Sequence, residues 1–311
     1  MYILGAGVPQ NSKEAVMWYR LAAEQGHTLS QLTLGVIYSN GPGVPMDLKE
    51  AAKWFRLSAE GGDARGQLCL GLLYINGNGV PRDREEGLKW LRLSADQGDM
   101  SAQFEMGTVY MNGIGVPFDP EEAFRWYILA AEQGHPDAQC NVGLMYSTGK
   151  GVHLDYNESV KWLRLSADQG FSSAQCNLGT MYTQGHGVPQ DHEEALKWFR
   201  LAAEQGNTFA QCNIGAMYGE GRGVPEDKTE AVKWFRLAAD RGNVDAQRNL
   251  GIMYFKGDGV PEDYDEAERW LSTSARPEDE LLMLFLKMNR QIKKPPKNNS
   301  KKKRNTTARS R

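Results

Sequence analysis

The chain has 311 residues, of which 41% are hydrophobic and 24% charged, as in an ordinary soluble folded protein. No stretch reaches the roughly 18 uninterrupted apolar residues of a membrane-spanning helix, so the sequence predicts no transmembrane segment. The net charge of −3 conceals an asymmetry. Residues 287–311 hold eleven Lys and Arg and no acidic residue, so an acidic body precedes a basic tail.

A period of 36 residues runs through the chain without insertion or deletion. A G-x-G-V turn recurs at Gly5, Gly41, Gly77, Gly113, Gly149, Gly185, Gly221 and Gly257. The eight tryptophans keep the same spacing, at Trp18, Trp54, Trp90, Trp126, Trp162, Trp198, Trp234 and Trp270. A period in the thirties with helical patterns is typical of stacked helix–turn–helix repeats.

The first half of each repeat, named helix A, reads A-Q-x-N-x-G-x-M-Y in residues 138–146, 174–182, 210–218 and 246–254. Small residues such as Ala138 and Gly143 allow a neighbouring helix to approach closely. Glycine inside a helix costs about 1 kcal/mol relative to alanine, so its recurrence in register indicates a compensating contact. Tyr146 and its equivalents lie on the same face as the alanine.

The start of the chain belongs to the same pattern. Met1-Tyr2 falls in phase with Met145-Tyr146, so we predict that the chain begins inside helix A of a first repeat whose earlier residues are missing. For that reason the lack of a signal peptide says nothing firm about the compartment.

The second half of each repeat, named helix B, opens with an aspartate that precedes a glutamate by three residues, as in Asp47/Glu50 and Asp119/Glu122. We predict a capping box, in which the aspartate accepts from a first-turn amide and the glutamate reaches back to the aspartate amide. A left-handed glycine is expected to end each helix B. These glycines are Gly26, Gly62, Gly98, Gly134, Gly170, Gly206 and Gly242.

The tryptophans of helix B and the tyrosines of helix A are interpreted as the core between helices. The alternative is that aromatic stripes stack nucleic-acid bases. The G-x-G turns are interpreted as turn geometry, because Gly149-Lys150-Gly151 is not followed by the spacing of a phosphate-binding loop.

After Trp270 the pattern breaks at Pro277. We predict a repeat array over residues 1–276, with about seven to eight repeats of which the first is truncated, and a capping helix over residues 277–292. A membrane or partner helix is the alternative for the second segment. Residues 293–311 lack core-forming side chains and are expected to be a disordered basic tail.

The tail carries a basic cluster at Lys301, Lys302, Lys303 and Arg304. Contact with phosphate or with an acidic protein, a nuclear import signal and a plain solvated terminus are the alternatives for it.

No motif predicts a catalytic or metal site. Cys140, Cys176 and Cys212 share one position of helix A, and Cys69 lies one place off that register. Stacked helices lie about 8–10 Å apart, too far for equivalent cysteines to form a disulfide, and no C-x-x-C pair suggests zinc. The thiols are interpreted as small apolar filler. We expect no cofactor, and the free thiols favour a reducing, cytoplasmic compartment.

Residues 174–206, AQCNLGTMYTQGHGVPQDHEEALKWFRLAAEQG, strongly resemble the Sel-1-like repeat, a relative of the tetratricopeptide repeat. The resemblance covers Met1 to about Ala275. It implies an all-α fold, a right-handed α/α superhelical solenoid of 36-residue helix–turn–helix repeats, that serves as an adaptor or scaffold, often in signalling. It implies no catalytic residue. A cysteine-rich branch linked to β-lactam binding has a disulfide in each repeat, and this chain has no cysteine pair in any repeat.

In related solenoids helix A lines the concave surface that binds partners. The residues two, six and nine places after the helix A alanine point away from its packed face and vary between repeats. We name these positions the A-helix stripe, and packing against helix B is the alternative interpretation of them. The candidates for partner binding there are Leu68, Leu72, Ile75, Phe104, Met111, Leu144, Ile252 and Phe255, and we predict that Leu72, Phe104 and Met111 mark a partner groove.

The sequence therefore predicts a non-enzymatic scaffold that binds protein or peptide partners, whose identity it does not give. The first alternative is binding of nucleic acid or another anionic partner through the basic tail. The second is a hydrolase or lactam-binding protein, which requires a convergent polar site that the sequence does not contain.

Overall fold

A computed structural model describes residues 12–41, 44–274 and 279–293. Within these ranges the chain forms sixteen α-helices joined by turns, and no β-strand. The helices are α1 Ser12–Glu24, α2 Thr28–Asn40, α3 Leu48–Glu60, α4 Ala64–Asn76, α5 Arg84–Asp96, α6 Met100–Asn112, α7 Pro120–Glu132, α8 Pro136–Thr148, α9 Tyr156–Asp168, α10 Ser172–Gln184, α11 His192–Glu204, α12 Thr208–Glu220, α13 Lys228–Ala239, α14 Val244–Lys256, α15 Tyr264–Ser274 and α16 Glu280–Lys293.

The odd-numbered helices up to α15 are the B helices, and the even-numbered helices up to α14 are the A helices. This order confirms the predicted all-α class built of 36-residue helix–turn–helix units. The chain divides into two compact units, Met1–Gln205 and Gly206–Arg311. Unit 1 contains α1 to α11, and unit 2 contains α12 to α16.

Each helix B from α3 to α15 begins after the predicted aspartate. Asp119 Oδ1 accepts from the amide of Glu122 at 3.0 Å. The glutamate half of the predicted capping box is wrong, because the Asp119 amide donates to the Tyr110 carbonyl at 3.0 Å. Glu122 instead accepts from Arg125 and from the indole N–H of Trp126. Because the Tyr110 carbonyl already accepts from the Asp119 amide, the Glu122 side chain is available to accept from the indole of Trp126.

From α4 onward, two glycines fix each turn from helix A to helix B. Gly77 ends α4 with a φ of 76°, and its amide donates to the Leu73 carbonyl at 2.8 Å. Gly79 has a φ of 73°, and a Cβ there would overlap the Leu48 carbonyl at the start of α3. Only glycine meets both demands without strain. The glycines predicted to end helix B also adopt positive φ, between 86° and 96°.

The glycine inside helix A receives a large side chain of helix B. A Cβ on Gly107 would lie 2.5 Å from the Tyr127 ring, and one on Gly179 would lie 2.8 Å from Phe199. The predicted close packing of helix A is therefore present. The side chain that packs against this glycine belongs to the residue of helix B that follows the tryptophan.

Six of the eight tryptophans join their repeat to the one before it. Trp126 on α7 packs with Leu91 of α5 and Met106 of α6, and 7% of its surface is exposed. Trp54, Trp90, Trp162, Trp198 and Trp270 pack into equivalent clusters. The prediction is wrong for Trp18, which is 53% exposed. It lies on α1, and no described helix precedes α1.

A row of glutamines, which the sequence patterns did not reveal, also links adjacent repeats. Gln133 Nε2 donates to Gln103 Oε1 at 2.7 Å and to the Gly98 carbonyl at 3.1 Å. Equivalent pairs are Gln67–Gln97, Gln139–Gln169 and Gln175–Gln205. The row is interrupted at Gly61, where a glutamine would stand, and Gln31 Oε1 is buried there without a hydrogen-bond partner.

Helix α16 packs against α15 in unit 2. Leu286 is buried against Ala267 and Leu271. Asp279 precedes α16, is buried, and accepts from Arg248 Nε at 2.8 Å. It stands 36 residues after Asn243, so α16 takes the place of a further helix A. The capping role of residues 277–292 stays a prediction, and Pro277 and Glu278 lie outside the described residues.

Candidate functional site

The A-helix stripe is the candidate site that the sequence predicted, and the structure places its residues within or beside the core. Ile75 is buried, with 6% of its surface exposed. The seven other candidates are partly buried: Leu68, Leu72, Phe104, Met111, Leu144, Ile252 and Phe255. Partner binding on the stripe stays a prediction. Packing between repeats already buries part of the surface of each of these side chains.

Aromatic contacts show how the stripe is covered. The Phe104 ring stacks on the His135 ring with centroids 4.6 Å apart and lies 5.6 Å from the Tyr127 ring. Phe255 lies 5.8 Å from Tyr264 and 6.0 Å from Phe285. The stripe is therefore flanked by side chains of helix B and of the next helix A or its cap.

In unit 2 the stripe borders an open pocket of about 260 Å³ between α12 and α14. Its lining residues are Ala216, Gly219, Glu220, Lys228, Phe235, Asn249, Ile252, Met253 and Asp258. The pocket exists because α12 carries small residues at stripe positions, Ala216 and Gly219, where α14 carries Ile252 and Phe255. Phe235 of α13 and Met253 of α14 contribute to its apolar lining.

Charged groups at the pocket are already paired. Lys228 Nζ lies 3.0 Å from Asp258 Oδ1 and 3.8 Å from Glu226. The hydrogen bond to Asp258 raises the pKa of Lys228, so this amine stays cationic at neutral pH. The Asn249 side chain makes no hydrogen bond to the described residues and lines the pocket. It is thus available to a ligand amide.

The cysteines do not form a reactive site. None of the four forms a disulfide, and Cys140, Cys176 and Cys212 are buried. Burial raises the pKa of the Cys140 thiol to about 12 and that of the partly buried Cys69 thiol to about 11. Thiols with such pKa values stay protonated and are poor nucleophiles at neutral pH.

In the part of the chain that the structure describes, no group of three His, Cys, Asp or Glu side chains is arranged to hold a metal ion. None of the described helices has both the length and the apolar character to cross a membrane. The basic cluster Lys301–Arg304 and the segment from Met1 lie outside the described residues, so the interpretations of both stay predictions.

Comparison with known proteins places this geometry in a family. A profile described as Sel1 repeat matches residues 1–27, 28–63, 64–99, 101–135, 136–171, 172–207, 208–243 and 244–276. No curated protein matches the chain.

Two solved structures are similar over most of the chain. A protective antigen present in uropathogenic Escherichia coli strains, displaying an SLR fold, is 37% identical, with a TM-score of 0.84 over 94% of this chain. This chain spans 63% of that protein's length. A Sel1 repeat protein from Oxalobacter formigenes is 38% identical, with a TM-score of 0.70 over 89% of this chain and 80% of its own. From the eight repeat matches and these two structures we conclude that the chain belongs to the Sel1 repeat family.

Proposed function

We propose that this chain is a non-enzymatic scaffold that binds a protein or peptide partner on the A-helix stripe, at the pocket between α12 and α14. Sel1 repeat proteins are generally scaffolds for protein–protein interaction. The observation that carries the proposal is the pocket itself, since it opens at stripe positions where the side chains are smallest.

The shape and chemistry of the pocket suit an apolar side chain of a partner. Its volume of about 260 Å³ is enough for one large side chain, and Phe235, Ile252 and Met253 line it. Asn249 offers both a donor and an acceptor to a peptide group beside that side chain. An apolar anchor with a few polar groups around it is typical of the energetically dominant part of an interface.

The lining favours binding over catalysis. It contains no histidine, cysteine or hydroxyl side chain, and the hydrogen bond to Asp258 raises the pKa of Lys228, so its one amine is protonated and is not an activated nucleophile. Its cation, Lys228, is paired with Asp258. The alternative function, binding of an anionic partner through Lys301–Arg304, rests on residues outside those that the structure describes and stays a prediction.

The test fills the pocket without disturbing the fold. Ala216→Thr with Gly219→Thr copies Thr180 and Thr183, which α10 carries at the same positions. Peptides are first selected from a random display library on the full chain. We expect those that bind the pocket to lose about tenfold or more in affinity for the double variant.

The matched control for that experiment is Thr180→Ala with Thr183→Gly, which makes the opposite change in α10. It should leave the affinity of the selected peptides unchanged. If every selected peptide binds the filled variant as well as the original chain, the pocket is not the binding site and the proposal fails.

A further inference from the structure

A second cleft lies in unit 1, on helix B rather than on the A-helix stripe. It is about 440 Å³ in volume and lies between α3 and the turn that follows α4. Its lining residues are Lys49, Ala52, Lys53, Arg56, Leu57, Gly79 and Val80. Three of these side chains are cations and none is an anion, in a chain whose first 286 residues are acidic overall.

The cleft results from one small residue, Ala52 of α3. Gly79 brings the turn against the Leu48 carbonyl, at the start of α3. One turn further along α3, Ala52 is too short to fill the space below Val80. In the next repeat Leu88 takes the position of Ala52, and its Cδ1 lies 3.1 Å from where a Cβ on Gly115 would be. In α5, Leu88 therefore fills the space that stays open beside Ala52 in α3.

The charges at the cleft are only partly neutralised. Lys53 Nζ lies 2.8 Å from Glu50. Arg56 donates to the hydroxyl of Tyr74 and makes no ion pair with the described residues. Lys49 is exposed and makes no ion pair with the described residues. It stands where α5, α7 and α11 carry a glutamate.

We propose that this cleft binds an acidic peptide segment of a partner protein. A large apolar side chain of that segment occupies the space between Ala52 and Val80, and its flanking carboxylates pair with Lys49 and Arg56. Leu57 is 44% exposed and extends the apolar floor. Charge complementarity selects the segment, and burial of the apolar side chain contributes to its affinity.

A peptide fits this surface better than other anions do. The acidic body repels a long polyanion such as a nucleic acid, whereas a short acidic segment meets only the local cations. The apolar floor gives no advantage to a bare phosphate. The proposal goes beyond the pocket between α12 and α14 and does not depend on it.

The experiment measures binding of short fluorescein-labelled peptides to the full chain by anisotropy. The probe alternates glutamate with leucine or phenylalanine. One matched probe has glutamine in place of glutamate, and another has alanine in place of the apolar residues. We expect the first probe to bind about tenfold or more tightly than either of the others, and to weaken as salt is added.

Three variants locate the binding. Lys49→Glu and Ala52→Leu should each weaken the first probe about tenfold, since one reverses a charge and the other fills the cleft. Lys197→Glu makes a comparable charge change on α11 and should have little effect. The unit 2 variant that fills the pocket, Ala216→Thr with Gly219→Thr, should bind this probe normally, which separates the two proposals.

Several outcomes overturn the proposal. Equal losses in Lys49→Glu and Lys197→Glu would show attraction to any cation on the surface. Full binding by a folded Ala52→Leu protein would show that the peptide does not occupy the cleft. Equal binding of the glutamine probe would show that charge does not contribute to the affinity. Binding to vesicles of anionic lipid with none to the peptides would assign the surface to a membrane. If Ala52→Leu does not fold, as judged by circular dichroism, Lys49→Glu decides alone.

Discussion

Gln133 holds two repeats together through one carboxamide. Its Nε2 donates to Gln103 Oε1 and to the Gly98 carbonyl, both in the preceding repeat. We expect Gln133→Ala to lower the free energy of unfolding by about 1–2 kcal/mol, because Gln103 Oε1 loses its donor in a buried position. The shift of the urea midpoint measures this loss.

The control for Gln133→Ala is Glu132→Ala, at the exposed neighbouring position of the same helix end. A surface change of that kind stays within about 0.5 kcal/mol. If the two variants have the same urea midpoint, the glutamine row does not contribute to stability.

His135 should make the protein sensitive to acid. Its Nδ1 accepts from the Ala138 amide at the start of α8, which requires the neutral ring. Burial lowers the pKa of His135, although nearby Asp137 opposes the shift. The unfolded chain therefore binds the proton more readily, and this contribution to stability is lost as the pH falls through about 6.5, the ordinary pKa of histidine.

His135→Asn removes the titration and keeps the cap, since Asn207 and Asn243 cap equivalent helices. We expect the urea midpoint of the variant to fall less than that of the original chain between about pH 7.5 and about pH 5. Equal falls in the two proteins would mean that other groups cause the acid sensitivity.

At the scale of single residues, the sequence predicted the helix caps but not the hydrogen bonds that Glu122 and Gln133 make. The aspartate cap and the left-handed glycines depend on a few neighbouring residues, so local patterns reveal them. The bonds of Glu122 to the indole and of Gln133 to Gln103 depend on which buried atoms remain unpaired after the turns form. A 36-residue repeat of glutamine was the available signal, and only the structure shows what it binds.

Within the helices, two glycines should respond to alanine in opposite directions. A Cβ on Gly107 in α6 would lie 2.5 Å from the Tyr127 ring, whereas one on Gly219 in α12 would lie 3.6 Å from Ala231. Alanine favours a helix by about 1 kcal/mol over glycine. We therefore expect Gly219→Ala to stabilise by up to about 1 kcal/mol, and Gly107→Ala to destabilise by about 1–3 kcal/mol through overpacking.

Thermal and urea unfolding of the two glycine variants give the comparison directly, since each serves as the control for the other. Stabilisation by both would mean that the Tyr127 ring moves aside at no cost. The packing against Gly107 would then not be the reason for glycine in helix A.

Element-scale patterns predicted which face of helix A carries the stripe, but not what covers that face. Leu72 and Phe104 are partly buried because hairpins on both sides contact helix A. Both clefts arise where a side chain is small, at Ala216 and Ala52, and a gap becomes visible only when the neighbours are in place. For the same reason the sequence nominated Ile252 and overlooked Lys49.

At the scale of the whole molecule, the period of 36 residues predicted the order of helices because, within each compact unit, nearly all contacts between helices join neighbours in the chain. Each core cluster draws on neighbouring helices, as in the group that Trp126 shares with α4, α5 and α6. In such an array stability is a sum over repeats and their interfaces, so damage stays near its origin. The two compact units make this locality measurable, since a change in one can be monitored in the other.

Truncation of Trp126 tests this locality. Trp126→Ala should cost about 3–5 kcal/mol, because the indole is buried against Leu91 and Met106. Amide hydrogen exchange should then speed up in α4 to α7 and stay unchanged in α14, which belongs to unit 2. Trp18→Ala is the control, since Trp18 is half exposed and should cost far less. Faster exchange throughout both units would show that the chain unfolds as one cooperative body, against the nearest-neighbour description of its stability.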